Sequence, residues 1–249
     1  MRRDGLIVVA IWAVLTAIGE FAVVTWSMLP EGYAREADVV NEAYLLLLIL
    51  AVPVFTFMLS MLGYSAVRFR SAGQPHDDGP PIHGSPKVVA AWLAITGGLT
   101  LGVVINPGFV GLADIRGSSS ADMVVEVEGQ RWIWKATYEN GGLAEDELVV
   151  PIDTRIRFDV TSADVVHSFW IPAFGMKIDA VPGRTTEMFV TTERVGSFAE
   201  DGNLRAQCAE LCGLSHSQMA MPVRVVERAE FEVWLENLPR DETGTEEGA

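Results

Sequence analysis

The two cysteines of this 249-residue chain stand four apart in Cys208-Ala-Glu210-Leu-Cys212-Gly-Leu-Ser-His216-Ser-Gln-Met219. Twelve residues there offer two thiols, an imidazole and a thioether. Thiolate and thioether are soft donors that select copper(I), zinc or iron–sulfur, and imidazole suits copper and zinc. Upstream, His167 in Asp164-Val-Val-His-Ser-Phe-Trp170 is a further candidate ligand in an apolar, strand-like run. Taken alone, Cys208 and Cys212 fit a disulfide as well as a metal pair, because an exposed loop can bring their Cβ atoms to about 3.8 Å. Read singly, His167 fits a core histidine and Met219 fits packing beside Met221. Their joint occurrence with His216 shifts the reading to a metal, and two Cys, a His and a Met on one loop favour copper.

A second signal is Gly129-Gln-Arg-Trp132-Ile-Trp134-Lys-Ala-Thr-Tyr138. Exposed aromatics on an acidic surface suit the docking of a partner, since Trp is an effective interface anchor. From Asp114 onward the chain carries 25 Asp and Glu against 12 Lys and Arg, a net of −13 out of −15 overall. Such a surface argues against nucleic acid and for a cationic partner whose approach it steers.

These residues need elements to hold them. Mean hydropathy is +0.26, raised by three apolar runs, about 6–29, 43–67 and 88–110. Each is near the roughly 20 residues that cross a bilayer. Arg2 and Arg3 precede the first run, and Arg68, Arg70 and Lys87 separate the second from the third, so both clusters belong on the cytoplasmic side. Glu31, Glu36, Asp38 and Glu42 against Arg35 put the intervening loop outside. Three crossings then place everything after Asp114 on the outer face. The first run also reads as a cleaved leader ending near Ala17 and Gly19, but the apolar pattern resumes at Phe21 and favours a retained helix. Glu20 would then lie deep in the membrane, facing a neighbouring helix.

From Asp122 the pattern changes to period two, in Met123–Glu128, Thr154–Val160, Thr185–Thr192 and Met221–Val226, the signature of half-buried strands. Turn residues at Asn140-Gly-Gly142, Pro151, Pro182-Gly183 and Asp201-Gly202 separate them, which predicts an antiparallel sandwich. Glu227–Leu238 reads as a short amphipathic helix turning Phe231, Trp234, Leu235 and Leu238 inward. The partition is an anchor over 1–113, a globular domain over 114–238 and an acidic, disordered tail over 239–249.

The loop, its distant histidine and the aromatic segment resemble subunit II of the haem–copper cytochrome oxidases, over about residues 43–238. There a C-x-E-x-C-x-x-x-H-x-x-M loop and one distant His hold a dinuclear copper centre, CuA, and every ligand position matches here. The resemblance implies a membrane α-helical anchor of two or three transmembrane helices followed by an all-β cupredoxin-like Greek-key sandwich. It implies that Cys208 and Cys212 bridge two coppers. His167 and Met219 would complete one, and His216 and the Glu210 backbone carbonyl the other. It further implies that the Glu210 side chain helps bind magnesium at the junction with subunit I, and that electrons enter at Trp132. Ile133 stands where the family often has Tyr, and Trp134 belongs to the core.

The implied partners are subunit I, carrying haem and copper, subunit III, membrane lipid, and cytochrome c or another basic electron donor. The implied location is the plasma membrane, multi-pass, with the C-terminal domain on the outer, periplasmic face. Ile82-His83-Gly84-Ser-Pro leading to Trp92 resembles the family's lead-in to its second helix. Many members carry a carboxylate just before that Trp to admit protons; here Lys87, Val88 and Val89 stand there, which argues against that role. No Cys-x-x-Cys-His occurs, so no c-type haem is expected in this chain. Three rival readings share parts of the pattern: a quinol oxidase subunit, which typically lacks the copper ligands; a nitrous oxide reductase domain, which lacks the helical hairpin; and a membrane-anchored copper carrier or zinc module.

Overall fold

The computed structural model describes residues 2–26, 29–70, 84–117 and 120–240, in two compact units. The helical unit contains α1 (Arg2–Thr25), α2 (Arg35–Arg68, from Glu42 on) and α3 (Pro86–Val103). A kink at Asn106, whose φ of −136° and ψ of 116° are not helical, separates α3 from α4 (Val110–Arg116). Pro86 begins α3 in the first turn, where its missing N–H leaves no hydrogen bond unmade. The stretches Arg3–Thr25, Arg35–Arg68 and Pro86–Arg116 are long and apolar enough to cross a bilayer. Their Leu, Val and Phe side chains face outward, and no residue of α3 is buried. That pattern suits a lipid surround or a partner helix rather than water. Between α1 and α2, Trp12 Nε1 donates to the Pro53 carbonyl at 2.8 Å and the Thr16 and Thr56 hydroxyls meet at 2.7 Å. Glu20 is half-buried, five residues from the C-terminal end of α1. The Ile82-His83 part of the lead-in falls outside the described residues.

The second unit is a sandwich. One sheet has the order β3 (Leu143–Ala144), β2 (Ile133–Tyr138), β1 (Met123–Gln130), β5 (Arg155–Ser162), β8 (Thr186–Thr191). The other runs β4 (Leu148–Pro151), β11 (Ala220–Val226), β10 (Arg205–Cys208), β6 (His167–Ile171), β7 (Met176–Ala180), with β9 (Gly196–Ser197) also pairing β11. Period two does what it predicts: Ile156, Phe158 and Val160 of β5 are fully buried. Phe158 meets Phe169 of the facing sheet, ring centroids 5.5 Å apart. The expectation of a purely antiparallel sandwich is corrected, because β1 and β5 pair in parallel, as do β4 and β11. Strand alternation reports which face is buried and is silent on the direction of a partner that crosses over from the other sheet. The architecture is a set of apolar helices followed in sequence by a β-sandwich. The helix α5 (Arg228–Glu236) closes one end, with Phe231 buried and the Trp234 ring edge-on to Tyr138 at 5.3 Å.

Two boundaries differ from the sequence partition. Leu29–Asn41, between the first two apolar runs, packs in the sandwich unit and not with the helices. Tyr33 and Ala34 are buried in its core; Tyr33 N–H donates to the Ala173 carbonyl at 2.9 Å, and Ala34 bridges Thr192. Glu36, 1% exposed, accepts from Thr191 N–H at 2.8 Å and faces Arg155 at 3.5 Å. At the other end, Pro239 accepts from Leu143 N–H at 2.8 Å and Arg240 bridges Gly142, so these two residues of the expected tail are paired. The rest of that tail, 241–249, lies outside the described residues.

Candidate metal centre

Three neighbouring strands, β11, β10 and β6, end at the same corner of the sandwich. β10 stops at Cys208 and β11 starts at Ala220, so the 209–219 loop must turn back over that corner. Its root is fixed by Cys208 N–H donating to the Met219 carbonyl and Ala209 N–H to the Ser168 carbonyl, each at 2.9 Å. His167 opens β6 directly alongside, with Phe169 in register with Cys208.

The loop brings all six predicted donors together. The thiol sulfurs of Cys208 and Cys212 are 3.8 Å apart and both cysteines are free. Cys208 Sγ lies 3.8 Å from His167 Nδ1 and 3.1 Å from the Glu210 carbonyl oxygen. Cys212 Sγ lies 3.6 Å from His216 Nδ1 and 3.8 Å from Met219 Sδ. Donor atoms of His167, Cys208 and Cys212 all fall within 4.8 Å of one another, as a bound ion requires. His167, both cysteines and Met219 are buried, His216 is half-buried, and the Glu210 side chain is exposed. Burial, and then the neighbouring Cys208 thiol, push the Cys212 thiol up to about 11, so a metal binding there displaces its proton.

The donor chemistry fits copper. Metal–thiolate bonds of about 2.3 Å exceed half the sulfur–sulfur separation, so one ion can bond both sulfurs from either side. A thioether and a carbonyl oxygen as the remaining donors suit a soft or weakly held ion better than structural zinc, which takes Cys, His or carboxylate.

Trp132 lies in the turn between β1 and β2, half-buried, against the ligand loop. Gly213 is the loop residue that faces the indole. Its φ of +122° favours glycine, and a Cβ there would be in ordinary van der Waals contact with the Trp132 ring at 3.5 Å. Trp134 is buried as expected, its ring 5.9 Å from His167 and 5.2 Å from Phe169. Gly129 closes the cluster, since a Cβ on it would come within 2.9 Å of the Trp134 ring and 3.1 Å of His167. Gly129→Ala is expected to cost about 1–3 kcal/mol through overpacking and to weaken metal uptake by displacing His167. Thermal unfolding and copper titration of the variant check both effects, and unchanged uptake would show that the ring has room to yield.

Sequence reasoning did not single out Asp164. Its carboxylate meets His167 Nε2 at 2.8 Å and Arg131 Nε at 2.8 Å. Burial opposes its ionisation, but hydrogen bonds from His167, Arg131 and two backbone N–H groups hold it well below the usual carboxylate range. Its place three residues before His167 was visible in the sequence; that the chain folds it back onto the ring was not.

Fold and site together define a β-sandwich, preceded in sequence by apolar helices, with a cluster of soft donor side chains at one corner. Residues 142–226 match the family described as cytochrome c oxidase subunit II, periplasmic domain. The chain is 25% identical to cytochrome c oxidase subunit 2 of Thermostichus vulcanus, over 90% of this chain and 84% of that one. It is 35% identical to the Mycosarcoma maydis protein of that name, over 57% of this chain and 64% of that one, under two thirds of that relative's length. The periplasmic domain of subunit II of cytochrome oxidase from Bradyrhizobium japonicum is 37% identical, with 48% of this chain and 94% of that one covered, at a TM-score of 0.44. Over most of its length the chain is thus similar to cytochrome c oxidase subunit II proteins.

Proposed function

We propose that this chain is the electron-receiving subunit of a terminal oxidase, accepting single electrons from cytochrome c or another basic donor. They would pass through a dinuclear CuA centre to the haem of subunit I, where oxygen is reduced to water and protons are pumped. One observation carries the reading: four further donors surround two thiols 3.8 Å apart. Two four-coordinate ions would need eight bonds, and two shared thiolates with four terminal donors would supply that number. His167 and Met219 would complete one copper, His216 and the Glu210 carbonyl the other. Bound there, a copper pair supplies one-electron transfer with little change in bond length, because bridging thiolates spread the charge over both ions.

The chain's own residues supply the rest. Strands β6, β10 and β11 hold the donors on a rigid frame. Burial of both cysteines and Met219 keeps water from the sulfurs. Around Trp132 the surface exposes Ile133, Val166, Leu211 and Leu214, an apolar centre on an acidic domain, the pattern of a steered and short-lived encounter. Trp132→Ala is expected to slow electron uptake about tenfold or more, taking the roughly 2 kcal/mol of an interface anchor as the scale, with the copper spectrum unchanged. Stopped-flow oxidation of reduced donor checks it, and an unaltered rate would put the point of electron uptake elsewhere.

The exposed Glu210 carboxylate is available for magnesium at the junction with subunit I, and subunit III and lipid would cover more of the helices. The plasma membrane, with the sandwich on the outer face, is the location supported by the Lys and Arg placement. The packing of Leu29–Asn41 within the sandwich unit supports it too, since that loop must then share the sandwich's side. Paramagnetic resonance of the copper-loaded full chain tests the reading. Hyperfine structure shared over two nuclei is expected; a one-copper or silent spectrum, or zinc in material purified with copper present, overturns it in favour of a carrier or structural module.

A further inference from the structure

We infer that Asp164 is a positioning residue that joins the ligand histidine and the turn carrying Trp132 into one unit, an inference that rests on the copper reading above. Its two oxygens serve different segments. Oδ1 lies 2.8 Å from His167 Nε2 and accepts from Val165 N–H at 2.7 Å. Oδ2 accepts from Arg131 backbone N–H at 3.1 Å and from Arg131 Nε at 2.8 Å. Val165 and Arg131 can only donate, so the carboxylate is an acceptor throughout, and the ring nitrogen facing it must carry a proton. An imidazole protonated at Nε2 has its lone pair on Nδ1, and Nδ1 is the atom that faces Cys208 Sγ. The His167 ring is fully buried between Trp134 and Gly129, so solvent cannot take over this role.

The second oxygen extends the effect. Arg131 immediately precedes Trp132, and holding its backbone N–H fixes the turn that lays the indole against Gly213. From the indole to the metal ligand the path is one residue of backbone, one carboxylate and one imidazole. The outer partner of a ligating histidine ordinarily orients the ring and raises its basicity. Here the same group also sets where the aromatic residue stands, so indole and ligand keep a fixed separation.

The test uses the full chain in detergent with 15N-labelled histidine, in the Asp164→Ala, Asp164→Asn and Arg131→Ala variants. Before copper is added, the wild-type His167 signal should report a proton on Nε2, and Asp164→Ala should give mixed tautomers. After loading, Asp164→Ala should show altered histidine hyperfine couplings and a raised reduction potential, because an anion that favours the oxidised centre is gone. Its electron uptake should fall further than in Arg131→Ala, where Oδ1 still holds His167 and the backbone contact to Oδ2 remains. Should Asp164→Ala fail to fold, Asp164→Asn decides: its amide must set a donor against His167 and Val165 or against Arg131, so the potential still rises. An unchanged tautomer with equal and opposite potential shifts in the Asp164 and Arg131 variants would mean simple electrostatics and overturn the inference. A wild-type chain that takes up no copper pair would defeat the copper reading alone, because the tautomer is measured on metal-free protein.

Discussion

A Cys212→Ser chain is expected to form no dinuclear centre and to oxidise no donor, while its sandwich stays folded. Cys212 Sγ is the junction of the site, within 3.8 Å of Cys208 Sγ, His216 Nδ1 and Met219 Sδ. Serine puts a hard, protonated hydroxyl in that place, and hydroxyls do not bridge soft ions. If two coppers share the thiolates as proposed, loss of one sulfur would leave a single thiolate for both, so a partial centre would hold at most one ion. Donor oxidation should fall to background rather than decline by degrees. The fold should survive because the cysteine lies in a loop and no strand pairing involves it. Near-ultraviolet circular dichroism beside a copper assay separates the two effects, and donor oxidation retained by the folded variant would refute the role given to this thiol.

The largest expected effect on stability lies far from the metal. Glu36→Ala should lower the stability of the sandwich unit by about 3 kcal/mol, the scale for removing one partner of a buried ion pair, or roughly 10 °C in midpoint. Glu36 accepts from Thr191 N–H at 2.8 Å and from Thr191 Oγ1 at 3.2 Å, and lies 3.5 Å from Arg155 Nη1. The last is a long contact, so the backbone N–H left without an acceptor accounts for much of the loss. Glu36→Gln retains an acceptor of the same shape and should lose less than half as much. Thermal unfolding of the full-length variants in detergent measures both; equal losses would mean that charge, and not the hydrogen bonds, dominates.

What could be read from the chain divides along a physical line. The convergence of six donor groups was legible because residue type and spacing are local properties of one loop, with a single distant histidine in a strand-like run. Strand β5 was legible because Ile156, Phe158 and Val160 alternate cleanly onto the buried face. Strand β10 was not: Arg205–Cys208 is four residues long, and only its neighbours β6 and β11 make it a strand. Parallel pairing of β1 with β5 escaped for the same reason, since direction is a property of the pair. Asp164 escaped because its meaning is a contact with Arg131, 33 residues away. The carboxylates of Pro30–Glu42 mark an outside loop in the sequence, yet one of them, Glu36, is the most buried acid described in its unit.

That connector alters what counts as the smallest self-sufficient piece of the water-exposed half. Tyr33 rests against Gly196, and Ala37 against Gly175, at positions where no side chain would fit between them. A secreted fragment starting at Ala113 would uncover both glycine surfaces and withdraw the Glu36 carboxylate from Arg155. The strap would have to be grafted on or supplied as a separate peptide for such a fragment to match the parent's resistance to unfolding.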